Sequence, residues 1–289
     1  YGHLMAIFLI CCAIVPTLIK INSVVMEVAQ KLGFRDLLQR LYAGFNEQDP
    51  EILFDSMISA LSLLIIKLQA HKLLGISFSC AMHSLIAVNS NGTPLTNVVN
   101  WADLRSAEYA KRLRGMPEGK ELHSRTGTPV HPMSPLCKIQ WIRDHQPEIF
   151  RNTFKFISIK EYLFFKLFGK YLIDHSIASA TGLFDLFNLQ WNNTALKIAG
   201  ITADQLSQPV STTHIESGMN LMYADLLGID ALTPCIIGGS DGCLANLGSN
   251  AVMPGDVSLT IGTSGAVRMI VNKPSTDEKQ HLFNYILTE

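Results

Sequence analysis

Two turns of small residues near the C-terminal end of the sequence carry the residue types that a phosphoryl transfer needs. Residues 238–242 read Gly-Gly-Ser-Asp-Gly and follow the apolar segment 234–237, which places the carboxylate of Asp241 at the end of a predicted strand. Residues 262–265 read Gly-Thr-Ser-Gly and follow a second apolar segment, 257–261. A carboxylate can accept the proton of an attacking hydroxyl, and the N–H groups of a small-residue loop can bind a phosphate. The pair therefore indicates phosphoryl transfer to a hydroxyl group.

Each turn alone also fits a purely structural interpretation. Gly, Ser and Asp are common in tight turns between strands, and Asp241 could cap a helix that begins at Gly242. By spacing alone, residues 262–265 are a hairpin turn. The occurrence of two such turns close together, each behind an apolar strand, favours the functional interpretation.

Segments elsewhere in the chain extend the pattern. Pro135, Lys138 and Trp141 follow one another at intervals of three residues. Other matching segments lie at 76–83, 101–106 and 174–185. Together with the two turns they resemble the FGGY carbohydrate kinases and, within that family, the gluconate kinases, over roughly residues 46–272. Lys138 and Trp141 share a helical face, and we interpret them as packing residues.

The resemblance implies an α/β protein with the actin-like ATPase fold, in which a ribonuclease-H-like core holds a mixed sheet flanked by helices. The implied reaction is ATP-dependent phosphorylation of a sugar acid, D-gluconate to 6-phosphogluconate, with ATP and Mg²⁺ as cofactors. Two alternatives stay open. The substrate could be another sugar such as xylulose, or the chain could be a catalytically inert fragment that binds a sugar or a protein partner.

The resemblance also assigns roles to individual residues. Asp241 matches the general base of the family, and Gly242 would let the substrate approach the backbone closely. The second phosphate-binding loop of these kinases corresponds to Gly262, Thr263, Ser264 and Gly265.

Two upstream segments are candidate sugar contacts. Met82 and His83 match the Met-His pair that contacts the sugar in the family, although a lone His is by default a core or surface residue. Trp101, Asp103 and Arg105 lie close in sequence. The planar guanidinium of Arg105 suits a carboxylate such as that of gluconate, and Asp103 could accept from hydroxyls. A capping role for Asp103 and a solvated position for Arg105 are the equal alternative.

The composition narrows the class of protein. Of the 289 residues, 48% are hydrophobic and 16% charged, which is enough for a sizeable core. The formal net charge is −1 and no extended basic stripe is present, so we expect no nucleic-acid partner. The six cysteines form no C-x-x-C pair and have no zinc-site spacing, which is typical of reduced thiols in a cytoplasmic protein. A sugar or sugar acid is the expected partner, and a homodimer is the expected assembly.

The N-terminal segment differs from the rest of the chain. Residues 4–19 are almost wholly apolar, yet the run is shorter than the ~20 residues that span a membrane, and Pro16 interrupts it. No basic flank or A-x-A site precedes or follows it, so it does not resemble a signal peptide. We expect a buried strand or helix here and no membrane association.

Capping residues and apolar spacing predict the elements that position these motifs. Asp49 before Pro50 is a typical helix start. The predicted helices lie at 24–41, 50–70, 103–114, 134–145, 158–167, 192–199 and 219–227, and the predicted strands at 73–79, 84–88, 234–237 and 257–261. Three regions follow: an atypical segment at 1–45, a sugar-binding domain at 46–250, and the start of a truncated nucleotide-binding domain at 251–289.

Two parts of the family pattern are missing. The family opens with a strand and an acidic Gly-Thr-Thr loop that organises magnesium, but Gly2, Gly33 and Gly44 are not followed by Thr. The metal ligands are therefore unknown from the sequence. The chain also ends at Glu289, soon after the second loop. We therefore expect no ATP-dependent phosphorylation by the isolated chain, and an exposed apolar surface that favours self-association.

Overall fold

The computed structural model describes residues 44–68, 73–261, 265–277 and 279–288, together with the backbone of residues 7–11. The strands are β1 Ile7–Cys11, β2 Glu47–Gln48, β3 Ile76–Cys80, β4 Ile86–Val88, β5 Val98–Val99, β6 Lys155–Ile157, β7 Leu172–Asp174, β8 Phe184–Asp185, β9 Gln190–Trp191, β10 Gln208–Val210, β11 Ile215–Glu216, β12 Cys235–Ser240, β13 Val257–Ile261 and β14 Gly265–Met269. The helices are α1 Pro50–Leu68, α2 Ala107–Arg114, α3 Pro117–Thr126, α4 Pro135–His145, α5 Pro147–Asn152, α6 Ile159–Phe168, α7 His175–Ser179, α8 Asn193–Ala199, α9 Leu221–Leu227 and α10 Asp241–Gly248.

A four-stranded mixed sheet forms the centre, in the order β1-β3-β12-β11. Strand β3 pairs in parallel with both β1 and β12, and β11 closes the other edge antiparallel to β12. Ile76 of β3 lies opposite Ile7 on one side and Cys235 on the other. Because parallel strands end at the same edge of a sheet, the segments that follow β3 and β12, which carry the Met-His pair and the Asp241 turn, emerge together.

Apolar side chains from α1 and α6 pack on the central sheet. Phe54 of α1, Phe78 of β3 and Phe164 of α6 are all buried, and the rings of Phe78 and Phe164 meet edge to face at 5.0 Å. Burying a side chain of this size stabilises the fold by about 1.5–3 kcal/mol. A second cluster surrounds α4, where Cys137 and Ile139 are fully buried.

Local capping explains where the main helices begin and end. Asp49 Oδ1 accepts from the backbone N–H of Glu51 at 2.8 Å, so α1 starts where the sequence predicts. Helix α6 begins with a capping box between Ser158 and Glu161 and ends at Gly169, whose φ is +67°. A left-handed residue at this position favours glycine, which fixes the end of the helix.

Several predicted helices and strands differ from those of the structure. The helix predicted from Asp103 begins at Ala107, because Asp103 is used in a tight turn that precedes the helix. Helix α3 was not predicted; its composition is polar and its apolar pattern is weak. The predicted helix at 24–41 lies outside the described residues. Within the predicted buried segment at 4–19, residues 7–11 form a strand of the central sheet and the remainder lies outside the description.

Strands β13 and β14 form a hairpin with its own two-stranded sheet. Leu259, Ile261 and Val267 on this hairpin are more than 60% exposed, at 64%, 79% and 71%. The expected exposed apolar surface is thus present here, whereas the predicted domain boundary at residue 250 stays a prediction. Among the described residues, none of the helices is both long and apolar enough to cross a membrane.

Candidate active site

The Asp241 turn joins β12 to α10. Ser240, and not Asp241, is the N-cap of α10, since its side chain accepts from the N–H of Cys243 at 3.3 Å. Asp241 is the first residue of the helix, and its Oδ1 accepts from the N–H of Gly242 at 2.7 Å. The capping role that could have explained Asp241 structurally is therefore filled by its neighbour.

The carboxyl of Asp241 is partly buried, and its surroundings act on its charge in opposite directions. Burial raises the pKa of Asp241, while the N–H of Gly242 and the charge of Arg268 lower it, and the net direction is upward. A carboxylate with a raised pKa is a better proton acceptor than an ordinary surface aspartate.

Glycines around Asp241 allow close approaches that other residues would block. Gly238 has φ +66°, and a Cβ there would lie 2.0 Å from the carbonyl oxygen of Phe78. A Cβ on Gly242 would lie 3.0 Å from Cε of Met82 and 3.2 Å from Nε of Arg268. The absent side chain of Gly242 therefore lets Met82, a predicted sugar contact, and Arg268 lie against the turn.

His83, the residue after Met82, has an unusual backbone conformation. Its φ is +67°, which is uncommon for a residue other than glycine and often marks a functional site. Its Nδ1 is 2.8 Å from the carbonyl oxygen of Ala180, and its Nε2 is 3.3 Å from the hydroxyl of Tyr285. Burial, with the charge of Lys138, lowers the pKa of His83 to about 3, so the ring is neutral at physiological pH.

Lys138 connects the two predicted sugar-contacting segments. Its buried ammonium donates to the carbonyl oxygens of His83 at 2.5 Å, Asn100 at 2.8 Å and Val99 at 3.3 Å. Burial lowers the pKa of Lys138 to about 7, against the attraction of Asp103, which raises it. Lys138 is a packing residue, as expected, and it also ties the Met82–His83 segment to the segment that carries Asp103, a role that its sequence position did not indicate.

Arg105 is surrounded by partners from its own chain. Its Nε donates to Oδ1 of Asp103 at 2.8 Å and its Nη2 to Oδ2 of Asp103 at 2.7 Å. Nη2 also donates to Oε1 of Glu47 at 2.5 Å. The guanidinium lies 4.0 Å from the ring centre of Phe45 and 5.0 Å from that of Trp141, and the side chain is 3% exposed.

The other two predicted residues of this segment, Asp103 and Trp101, differ in their exposure to solvent. Asp103 is fully buried, and its Oδ2 also accepts from the N–H of Asn46 at 2.6 Å. Trp101 is 42% exposed. The structure thus brings Asp103 and Arg105 into one buried cluster and leaves Trp101 at the surface.

Residues 282–286 cover His83 from the outside. Phe283 and Tyr285 stack on each other, with ring centres 5.8 Å apart, and both meet the ring of His83 edge to face. Backbone contacts hold the segment in place: the N–H of Asn284 donates to Gly127 at 2.9 Å, and the N–H of Ile286 to Oγ of Ser179 at 3.2 Å. We call residues 282–286 the covering segment.

The predicted phosphate-binding loop is only partly described. Gly262, Thr263 and Ser264 lie outside the described residues, and Gly265 is the first residue of β14. Strand β14 also carries Arg268, whose guanidinium reaches the Asp241 turn. Sequence reasoning missed Arg268, because a single Arg in a strand carries no signal of the turn it will meet.

The described residues were compared with the side-chain groupings that hold metal ions in proteins. Within the described residues, no group of three or more His, Cys, Asp or Glu side chains is placed to hold a metal ion. We derive no step through the magnesium that the family resemblance implies.

Comparisons with known proteins support the resemblance over most of the chain. The model of the N-terminal domain of the FGGY family of carbohydrate kinases matches residues 23–248. The gluconokinase of Bacillus subtilis is 48% identical over 243 residues, which are 84% of this chain and 47% of that protein.

Solved structures agree with this assignment. The gluconate kinase of Lactobacillus acidophilus superposes with a TM-score of 0.82 at 35% identity, over 85% of this chain and 50% of that one. A ligand-bound xylulose kinase from the same organism gives 0.81 at 36% identity, over 84% and 50%. The chain spans about half the length of the curated relatives it matches, and these relatives give it the expected actin-like ATPase fold. The family match and the placement of the Asp241 turn lead to one conclusion: the chain belongs to the FGGY family of carbohydrate kinases.

Proposed function

We propose that this chain supplies the sugar-binding half of a kinase that phosphorylates D-gluconate to 6-phosphogluconate. The observation that carries the proposal is the 48% identity to gluconokinase over 84% of the chain. The partly buried Asp241, in a turn that Met82 and Arg268 approach at Gly242, supports it from the geometry. A cytoplasmic location and a homodimer stay predictions of the same proposal.

Asp241 acts as the general base in this proposal. Its carboxylate accepts the proton of the terminal hydroxyl as that oxygen attacks phosphorus, which typically accelerates such a step by about 10²–10⁴. ATP, when bound, supplies the phosphoryl group. Gly242 stays the proposed point of close approach of the sugar to the backbone, with Met82 against the turn at that position and His83, the next residue, neutral. Residues 262–265 contact the transferred phosphate.

In this proposal Arg105 and Asp103 determine which sugar the chain binds, and Trp101, which lies at the surface, also contacts the sugar. Arg105 is the candidate partner for the carboxylate of gluconate. Its guanidinium already bonds to Asp103 and Glu47. A sugar acid would have to replace one of these carboxylates. Glu47, at 19% side-chain exposure against 0% for Asp103, is the one that can give way.

A second candidate function is phosphorylation of a pentulose such as xylulose. It is favoured by the TM-score of 0.81 and 36% identity to the xylulose kinase of Lactobacillus acidophilus, values close to those of the gluconate kinase. A pentulose has no carboxylate, so this function would leave the ion pairs of Arg105 undisturbed.

Calorimetry of the purified chain with D-gluconate and D-xylulose separates the two candidates. We expect gluconate to bind more tightly by about 1.5–3 kcal/mol, the usual contribution of a hydrogen bond to a charged group. Arg105→Leu should remove this difference, and Arg125→Leu, whose ion pair with Asp185 is 41% exposed on the Arg side, should retain it. Equal affinity for the acid and the pentulose in the unmodified chain would favour the pentulose kinase.

A further inference from the structure

A buried ion pair lies directly beneath the Asp241 turn. Lys160, on the first turn of α6, has a side chain that is 2% exposed, and its Nζ donates to Oδ2 of Asp174 at 2.7 Å. The same ammonium donates to the carbonyl oxygen of Gly239 at 3.1 Å. Gly239 is two residues before Asp241, so the lysine holds the backbone that leads into the candidate base.

A second route of hydrogen bonds reaches the same turn from Asp174. Its other oxygen, Oδ1, accepts from the N–H of Ile177 at 3.0 Å and caps α7. Helix α7 carries Ser176, whose Oγ accepts from the N–H of Ser240 at 2.9 Å and donates to Oγ of Ser240 at 2.8 Å. The two routes therefore end on Gly239 and Ser240, the two residues that precede Asp241.

The backbone of the turn needs such support because its geometry is irregular. The register between β12 and β3 shifts between Ile236 and Gly239, and Gly238 is in the left-handed region at φ +66°. Fixed hydrogen bonds from a charged donor are shorter and stronger than neutral ones, so Lys160 can hold a carbonyl that leaves the regular sheet.

We propose that Lys160, acting with Asp174 and Ser176, is a positioning residue that fixes the carboxylate of Asp241 in the site. This rests on the proposed function, in which Asp241 is the general base. A buried ion pair that only stabilises the fold would affect unfolding but not the environment of Asp241, and this difference is measurable in the folded protein.

The test compares two matched double variants, each of which removes one lysine of α6 and its carboxylate partner. Lys160→Met with Asp174→Asn removes both buried charges together, so that neither is left alone. Lys166→Met with Glu51→Gln removes a second Lys–carboxylate pair of α6, which has a 2.9 Å contact but lies at the surface. The readout is the carboxyl ¹³C titration of Asp241, assigned with Asp241→Asn, together with amide exchange at Gly242 and Cys243.

We expect the buried-pair variant to lower the titration midpoint of Asp241 relative to the surface-pair variant, because a loosened turn lets water reach a carboxyl that is now partly buried. Arg268, Cys243 and Tyr285 are the other titratable groups that interact with this carboxyl or lie around it, and all are unchanged. Exchange at Gly242 and Cys243 should accelerate in the buried-pair variant alone.

A folded buried-pair variant whose Asp241 titration and amide exchange equal those of the surface-pair variant would overturn the proposal. If the buried-pair variant does not fold, Ser176→Ala takes its place, since it breaks the second route without removing a charge; an unchanged Asp241 midpoint there would overturn the proposal as well. The titration needs no sugar, so its outcome is separate from that of the proposed function, which fails if gluconate does not bind.

Discussion

The Asp241 turn and the Arg105 cluster were both predicted to contact substrate, and their surroundings differ. Asp241 accepts from the adjacent backbone, lies near Arg268, and is held from beneath through Gly239 and Ser240. Arg105 directs its guanidinium into Asp103 and Glu47 between two aromatic rings. In the first region the fold forms hydrogen bonds to the backbone before Asp241 and leaves its carboxylate able to bind a ligand. In the second region the guanidinium of Arg105 is itself bonded to other side chains of the protein.

This difference separates two uses of a charged residue. A buried guanidinium that bonds to two carboxylates contributes mainly to the stability of its neighbours, since removing it leaves their charges unpaired. A carboxylate whose supporting contacts go to the preceding backbone retains acceptor capacity for a ligand. The following predictions test whether the two regions differ in this way, in order of expected effect.

The largest effect is expected at Asp241. In a chimera that continues this chain with the remaining length of the Bacillus subtilis gluconokinase, Asp241→Asn should lower kcat by about 10²–10⁴, the usual loss when a general base is removed. Affinity for gluconate should change much less. A coupled assay of ADP release measures both, with Asp225→Asn, a change at an exposed position, as the control. Near-full turnover of the Asp241 variant in an active chimera would exclude Asp241 as the base.

The next effect is expected at Arg105, in stability. Arg105→Leu leaves the fully buried carboxyl of Asp103 without its cation, which should lower the free energy of unfolding by about 3–5 kcal/mol. Arg125→Leu breaks an ion pair with a 41% exposed guanidinium and should cost about 0–1 kcal/mol. Urea unfolding of the two variants measures both values. A loss for Arg105→Leu as small as that for Arg125→Leu would contradict a stabilising role for the buried ion pair.

Glu161 provides a carboxyl whose buried position should make stability depend on pH. Burial raises the pKa of Glu161 from 4.5 to about 7, against hydrogen bonds from Ser158 that lower it. The folded state therefore holds this proton more tightly than the unfolded chain. The resulting contribution, on the order of 3 kcal/mol, is present below about pH 4.5 and is lost as the pH rises through 7.

Glu161→Gln should flatten this part of the stability profile, measured by urea unfolding at intervals between pH 4.5 and 8. Asp241 contributes in the same direction, because its pKa is also raised, whereas His83 and Lys138, whose pKa values are lowered, contribute in the opposite direction. A residual slope is therefore expected, and the difference between the variant and the unmodified profile is the readout. The control is Glu148→Gln, whose side chain is 79% exposed and which should leave the profile unchanged. A Glu161→Gln profile that matches the unmodified chain would contradict the prediction.

The smallest effect is expected at the covering segment. If residues 282–286 must leave His83 before a sugar enters, replacing Phe283 and Tyr285 together by Ala should increase gluconate affinity. Aromatic pairs contribute about 0.5–1.5 kcal/mol, which corresponds to roughly twofold to tenfold. Calorimetry measures the change, with Leu282→Ala, which alters a 49% exposed side chain of the same segment, as the control. Weaker binding would mean that the two rings form part of the sugar site.

The pattern of elements was largely predictable from local signals. The start of α1 at Pro50, the end of α6 at Gly169 and the strand before Asp241 all depend on capping, turn or apolar residues that act within a few positions. Helix α3 was missed because a polar sequence gives little periodic signal. The start of α2 was placed too early, since Asp103 is recruited by the distant Asn46 and by the nearby Arg105.

The candidate site residues were predicted from family resemblance, which identifies residue types but not their contacts. Arg268 and Tyr285 were missed, although both lie near Asp241 or His83, because they follow the turn by more than 20 positions in unremarkable segments. Lys160 was also missed, because no local sequence feature indicates that its side chain is 2% exposed and bonded to Gly239, 79 positions away.

The sequence by itself determined the family, the order of most elements, and the turn that places a carboxylate after a strand. These properties follow from short-range causes: apolar spacing, capping side chains and the conformational freedom of glycine at 238. Only the tertiary structure decided which charged side chains form hydrogen bonds or ion pairs with other parts of the protein. Whether Lys138, Lys160 and Arg105 meet solvent, a carbonyl or a carboxylate depends on chain segments tens of positions apart, and burial, which no single segment specifies, sets the strength of each interaction.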